Sequence, residues 1–315
     1  MNIRRRRQPR GSTPAENQQS VWRVFGLIFF LSTVLTGFLL FRERQWRGDH
    51  QRAVLVVHQV KDEVRQPLSL VVVKTENKVQ VLPLPPQQVI QTPLDYGNYT
   101  SDALVGLTQL ENLRWEFLTY AISLEYGVAI DGIVWTQEAE LSSLSKVRKL
   151  AFFALVNNQP STMVFWDRFK WWGWLQRVPS YQFELVDIHQ YLTDANRLDE
   201  PRYDRWAELY LQDASIRGSD YSLVVQNGTG VDGYAHRIGR MLGLMGFYVR
   251  GLETIDGLER SAVLLEKGTT PWSGQRLESV FSFFTTKRDQ ALVEEKRTNA
   301  VLRVGSDQAQ YFKKK

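Results

Sequence analysis

Residues 24–41, VFGLIFFLSTVLTGFLLF, run for 18 positions without a charge. At 1.5 Å per residue a helix of that length spans roughly 27 Å, close to the hydrocarbon thickness of a bilayer. The run is apolar on every face, whereas a helix lying on a protein core shows one apolar stripe. Trp22 and Trp46 flank it. A cleavable leader would have a shorter apolar stretch followed by small residues, but FRERQWRGD follows here. The expectation is a single-pass, uncleaved membrane anchor at 24–41 behind a basic tail at 1–23. Arg4, Arg5, Arg6, Arg7, Arg10 and Arg23 precede the run; Arg42, Arg44, Arg47 and Arg52 follow it, partly offset by Glu43 and Asp49. That bias predicts a cytoplasmic N-terminus, with everything beyond residue 42 outside the cytoplasm.

The chain has 315 residues, 43% hydrophobic and 23% charged, enough for one or two packed cores. Its net charge of +5 is concentrated at the ends, in RRRRQPR and FKKK, and not in one folded stripe. Nucleic acid is therefore not an expected partner. The absence of cysteine removes thiol catalysis, thiolate metal sites and disulfides. His50, His58, His189 and His236 lack a second histidine or an acid at ligand spacing, so no metal site is expected.

Residues 48–193 read as a mixed α/β domain. RAVLVVHQV and LSLVVV are short, valine-rich and bounded by polar residues, as buried strands are. KTENK joins the second to VQVLPLP in a hairpin, which Pro83, Pro85 and Pro86 should end. Helical stretches follow at about 100–126 and 137–156, with GVAIDGIVWT as a strand between them. Together with the anchor, RQPLSLVVVKTENKVQVLPLPPQQVI and LTYAISLEYGVAIDGIVWTQEAELSSL resemble the LytR-CpsA-Psr family, extracytoplasmic enzymes that move glycopolymers from polyprenyl-pyrophosphate carriers onto the cell wall. The resemblance implies arginines that pair with the pyrophosphate and aspartates that help hold magnesium.

The residues that would do that chemistry are mostly replaced. The family pattern has arginine, one residue, then aspartate before the first hairpin strand; Arg65 matches, but Pro67 stands at the aspartate position. The family's serine-isoleucine-proline-arginine-aspartate run is matched by Pro83, Leu84, Pro85, Pro86 and Gln87. Proline and glutamine supply neither fixed cations nor anionic oxygens. A domain that keeps the scaffold without the catalytic set is expected, with no catalytic residue, no cofactor and Arg65 as the remaining phosphate contact. Magnesium would enter only if the transferase activity persisted.

FWDRFKWWGWL holds the densest aromatic cluster, with Trp166, Trp171, Trp172 and Trp174 interleaved with charge. Three readings stay open: core packing, contact with the membrane–water interface, and stacking against sugars or a prenyl lipid. Residues 194–219 are charge-rich and read as a linker with a short helix at 201–212.

The last unit, 220–315, reads β-α-β-β-α-β: YSLVVQ, a helix at 232–245, FYVRGLE, SAVLLEK, a helix at 274–285, and AVLRVG. Between the first strand and helix, NGTGVDG spells G-x-G-x-x-G, with Glu253 where a dinucleotide fold keeps its ribose-binding acid. Only TIDGLER separates FYVRGLE from SAVLLEK, which predicts an antiparallel pair, a split βαβ or ferredoxin-like unit, and makes the fingerprint a coincidence. VVQNGTGVDGYAHRIGRMLGLMGFYV and VLRVGSDQ resemble the LytR C-terminal domain, whose asparagine-glycine-threonine turn and glycine-aromatic helix end are matched by Asn227, Gly228, Thr229, Gly246 and Phe247. The turn at Asn227, Gly228, Thr229 and Gly230 is open to two readings, a structural cap or a set of amides for an anionic group of a wall polymer.

The fold class expected is thus α/β: an anchor, a mixed α/β LytR-CpsA-Psr-like domain and a small α+β unit. The expected role is non-catalytic binding or scaffolding in glycopolymer attachment at the cell wall, against an active transferase as the alternative. The expected partners are the membrane and a wall polymer or polyprenyl-linked lipid. A transcription regulator would need its folded part on the cytoplasmic side, which the anchor opposes.

Overall fold

The computed structural model describes residues 29–30, 32–33, 51–59, 66–73, 78–94, 96–138, 140–156, 161–268 and 271–313. The chain divides into a unit of residues 1–48 and a unit of residues 49–315. In the first, Phe29, Phe30, Ser32 and Thr33 are helical and exposed, and the Thr33 hydroxyl donates to the Phe29 carbonyl at 2.8 Å. The rest of the 24–41 run lies outside the described residues, and among those described no helix is long and apolar enough to cross a membrane.

The second unit is a mixed α/β fold with two five-stranded sheets, each of mixed strand direction. The first sheet uses β1 (Arg52–His58), β2 (Leu68–Val73) and β3 (Val79–Leu84). A separate antiparallel pair follows, β4 (Val89–Gln91) with β5 (Asn98–Thr100). β6 (Gly132–Thr136) and β7 (Phe183–Leu185) complete the sheet in the order β6-β1-β2-β3-β7. The valine-rich strands are buried on both faces, as their composition predicts. One face packs Leu55, Leu70 and Leu82 against Leu118, Ile122 and Tyr126. The other packs Val54, Val56, Val71 and Val81 against Val147, Leu150, Trp171 and Leu175.

The helical side chains come from α2 (Trp115–Tyr126), α3 (Leu144–Val156) and α4 (Phe165–Leu175), and α1 (Leu104–Leu110) adds Leu104 and Val105 to the first face. The continuous helical stretch expected over 100–126 is broken, with Asn112 in the left-handed region at φ 50° between α1 and α2. Pro83 also departs from expectation by lying inside β3, opposite Ser69. Its outer neighbour β7 pairs only with Val79–Val81, so β3 is an edge strand at Pro83 and no ladder donor is lost there.

Residues 194–219 hold α5 (Glu200–Tyr210) and α6 (Ala214–Arg217). Pro201 lies in the first turn of α5, where its missing N–H costs nothing, and Asp199 caps the turn by accepting from the Arg202 amide at 3.3 Å. Tyr203, Ala207 and Leu211 are fully buried against the first sheet's helical layer.

The second sheet contains β8 (Ser222–Asn227), β9 (Tyr248–Thr254), β10 (Ala262–Leu265), β11 (Thr285–Arg288) and β12 (Ala300–Val304), in the order β11-β10-β12-β8-β9. Its helices are α7 (Tyr234–Met245), α8 (Trp272–Val280), α9 (Gln290–Lys296) and α10 (Gln308–Tyr311). The expected antiparallel pairing of β9 with β10, and the split βαβ unit built on it, is not formed. β9 pairs parallel with β8, and β10 lies on the far side of β12, antiparallel to it.

The physical reason is that TIDGLER is a crossing and not a hairpin turn. Ile255 donates to the Asn227 carbonyl at 2.8 Å, Leu258 accepts from Ser306 at 3.2 Å, and the Ser261 amide donates to the Asp307 carboxylate at 2.8 Å. The loop therefore passes over the ends of β8 and β12 before β10 begins. β11, of which only Thr285 fell in the helix expected at 274–285 and the rest in no element, is exposed at every position, so no apolar alternation announced it.

α2 serves both sheets. Leu118, Ile122 and Tyr126 face the first core, while Phe117, Tyr120 and Leu124 join Ile238, Met241, Phe281 and Phe312 in the second. A buried ion pair joins the two sheets. Arg276 of α8, 3% exposed, pairs with Asp131 just before β6 and donates to the Ala129 carbonyl at 3.0 Å. Asp131 also accepts from the Ala53 amide at 2.9 Å and from Arg52 at 3.1 Å. Arg276→Ala removes the buried cation and leaves the carboxylate only Arg52 and the Ala53 amide, and should lower stability by about 3 kcal/mol, read as a shift of the urea midpoint of the full chain in detergent. A shift of a few tenths of a kcal/mol would show that the pair is dispensable.

Candidate functional site

A cavity of about 430 Å³ lies where α2, the residues leading into β6 and the end of α8 meet. That volume is within the roughly 300–1,000 Å³ of small-ligand sites. Trp115, Glu116, Thr119, Tyr120 and Ser123 come from one wall of α2, whose 3.6-residue period brings positions 115, 119 and 123 into a row. Ser279, Val280, Ser282 and Phe283 form the opposite wall; Ile130, Asp131, Gly132, Ile133 and Thr162 complete it. Ring faces and hydroxyls dominate. Trp115 is held edge-on against Trp135, centroids 4.9 Å apart, and Phe283 edge-on against Tyr120 at 5.2 Å.

Asp131 is the cavity's buried charge. Burial alone would raise its pKa, and the guanidiniums of Arg276 and Arg52 outweigh that, holding the carboxyl below its usual range. With its oxygens bonded to Arg276, Arg52 and the Ala53 amide, Asp131 is a fixed anion and not a proton carrier. Glu116 pairs with Arg114 at 3.1 Å. The cavity suits a neutral, hydroxyl-rich ligand better than an anion.

The residues singled out from the sequence fall elsewhere. Arg65 lies outside the described residues. Pro83–Gln87 is a backbone-bonded corner: the Pro85 carbonyl accepts from the Gln88 amide at 2.9 Å and from the Ser101 hydroxyl at 2.6 Å, and the Pro86 carbonyl accepts from the Asp102 amide at 3.5 Å. Trp166 is 54% exposed, Trp171 is buried in the first core, and Trp172 and Trp174 are half-buried against it.

In the glycine turn, the Asn227 carboxamide oxygen accepts from the Thr229 amide at 3.0 Å and from its hydroxyl at 2.7 Å, while Nδ2 donates to Val231 at 2.9 Å. The turn therefore satisfies much of its own polarity. Because β8 and β9 are parallel, strand direction does not separate this unit from a dinucleotide fold. The glycines do. Gly228 packs so tightly on Leu258 of the crossing loop that a Cβ would clash, and Gly233 caps α7 at φ 71° with open space beside it, where a dinucleotide fold uses close helix–strand packing.

Two buried polar clusters carried no sequence signal. His58 Nε2 lies 2.8 Å from the Ser69 hydroxyl and Nδ1 2.7 Å from the Glu138 carbonyl. Burial lowers the His58 pKa, so the ring is neutral, and Ser69 is itself 4% exposed and presents no nucleophile to solvent. The second cluster lies where α2 meets α7. Arg240 binds Asp204 through Nε, at 3.1 and 2.9 Å from its two oxygens, and donates to the Glu125 carbonyl at 3.0 Å; Arg237 donates to the Thr92 carbonyl at 3.2 Å. Burial pushes the half-buried Glu125 carboxyl up to about 7, against the opposing pull of Arg240 and Arg237.

The folded value of Glu125 exceeds its unfolded value of about 4.5, so the stability of the protonated form is complete below that pH and is lost as pH rises through about 7. Glu125→Gln, which has no proton to lose, should gain about 2 kcal/mol relative to the parent between pH 4.5 and pH 8, measured by urea denaturation at fixed pH. A difference that stays constant over that range would assign Glu125 an ordinary pKa.

The sequence matches no protein-family profile and no curated relative. Among solved structures, a transcriptional regulator from Enterococcus faecalis aligns at 8% identity over 44% of this chain and 76% of its own, with a TM-score of 0.33. A likeness at that level carries no argument about fold or function.

Proposed function

We propose that this protein is a membrane-anchored, extracytoplasmic envelope protein that binds a wall glycopolymer and assists its attachment without transforming it. In this reading residues 24–41 are the anchor, 48–193 a LytR-CpsA-Psr-like domain and 220–315 a LytR C-terminal-like module. The observation that carries it is the cavity lining: the partly exposed rings of Trp115 and Phe283 suit the C–H surface of a sugar, and Thr119, Ser279 and Ser282 bring hydroxyls for its edges.

The non-catalytic half rests on the corner at 83–87. The residues at the positions where the resemblance implies magnesium do not fit the ion, because Pro67, Pro83, Pro85, Pro86 and Gln87 bring no anionic oxygen. The Pro85 and Pro86 carbonyls already accept protein hydrogen bonds.

Soluble wall-glycopolymer fragments titrated onto the full chain in nanodiscs should quench tryptophan fluorescence. Ser282→Trp, at an exposed position on the cavity wall, should weaken binding at least tenfold with the folding midpoint unchanged. Equal affinity in both proteins would remove the cavity from the function. Transfer from a radiolabelled lipid-linked glycan should not occur with or without Mg²⁺; magnesium-dependent turnover that disappears in Arg65→Ala would put the transferase in place of the binding protein.

A further inference from the structure

We infer that the tip formed by Val164, Phe165 and Trp166, with the aromatic ridge behind it, docks on an anionic lipid surface, an inference that rests on the membrane-anchored reading above. Residues 161–163 run along the outer edge of β6: the Ser161 hydroxyl donates to the Ile133 carbonyl at 2.9 Å, the Thr162 amide donates to the same carbonyl at 3.1 Å, and Met163 fills the space beside Gly132. β6 is parallel to β1, with Gly132 opposite Val54, so this edge leads to the end of the sheet at which β1 begins. The next three residues project there, 63%, 51% and 54% exposed.

Gln51, the first described residue of the unit, immediately precedes β1 at that end. Residues 42–50 separate the run from Gln51 and reach no further than about 30 Å. The tip therefore lies at the end of the unit where β1 begins. A soluble surface gains nothing by exposing a phenylalanine and a tryptophan together, whereas the interfacial zone of a bilayer accommodates both.

From the tip, ring contacts continue from Trp166 to Phe169 at 6.2 Å, to Trp172 at 6.0 Å and on to Phe152, itself 44% exposed, at 6.3 Å. Cations flank the ridge. Residues 144–177 carry six lysines and arginines; Lys149 pairs with Glu138, Lys170 with Asp167, and Arg148 and Arg168 bond to backbone carbonyls, and the window holds one carboxylate, Asp167. Apolar rings set among cations complement an anionic headgroup layer, and each cation near such a surface adds about 1 kcal/mol of attraction.

Because the chain has no cysteine, Phe165→Cys and Leu209→Cys each give a single labelling site, the latter at an exposed position on α5. Each full-length variant is labelled with an environment-sensitive NBD dye, reconstituted into phosphatidylcholine vesicles with and without 30 mol% phosphatidylglycerol, and challenged with lipids carrying a doxyl quencher. The inference expects a blue shift and at least twofold doxyl quenching at position 165, stronger with phosphatidylglycerol, and neither at position 209. Co-flotation with equal quenching at both positions, or with none at 165, overturns it while leaving the anchor intact; a shift at 165 that grows with protein concentration and is not quenched assigns the tip to a second copy of the chain and likewise overturns it. Failure of the chain to float with vesicles sinks the anchored reading itself.

Discussion

The two sheets are held in register by a charge pair that neither could tolerate alone. Arg276 arrives from α8 and Asp131 from the residue before β6, and both sit in the interior. Burial works against the carboxylate, and two guanidiniums together outweigh it. The pair is thus ionised, saturated with hydrogen bonds and fixed in direction. Its geometry determines where the end of α8 meets α2, and that meeting is the wall of the cavity. A hydrophobic pair of similar volume could have filled the same space without specifying the same orientation.

α2 is the second constraint. A helix on a single sheet needs one apolar stripe, and this one carries two, Leu118/Ile122/Tyr126 and Phe117/Tyr120/Leu124, which face different cores. Its remaining strip, Trp115, Thr119 and Ser123, lines the cavity together with Glu116 and Tyr120. Packing and recognition are therefore coupled in one helix. The arginines of α7 reinforce the arrangement by taking carbonyls at the end of α2 and beside β4.

Much of the element order was legible because burial is written in composition. The valine runs became β1, β2 and β8, and Gly246 ends α7 in the left-handed conformation with Phe247 turning into β9. Pairing was less legible. TIDGLER has the length and the glycine of a hairpin turn, yet its backbone bonds to the ends of β8 and β12 carry it across the sheet. Nothing local distinguishes a turn that reverses a chain from one that crosses two strands. β11 escaped notice for the opposite reason, since an exposed edge strand needs no apolar pattern. The tryptophan cluster could not be resolved into parts, because one helix turns Trp171 inward and Trp166 outward.

By itself the sequence determined the length and placement of the apolar run, the absence of thiol chemistry, the valine-rich strands and the lack of charge at 83–87, because each is a property of residue type and spacing. Only the tertiary structure decided that β8 and β9 are parallel, that Leu258 closes on Gly228, that Asp131 meets Arg276 from 145 residues away, and that hydroxyls from α2 and α8 converge on one space. These depend on distances between segments far apart in the chain, which the closing of the two cores sets and no local pattern encodes.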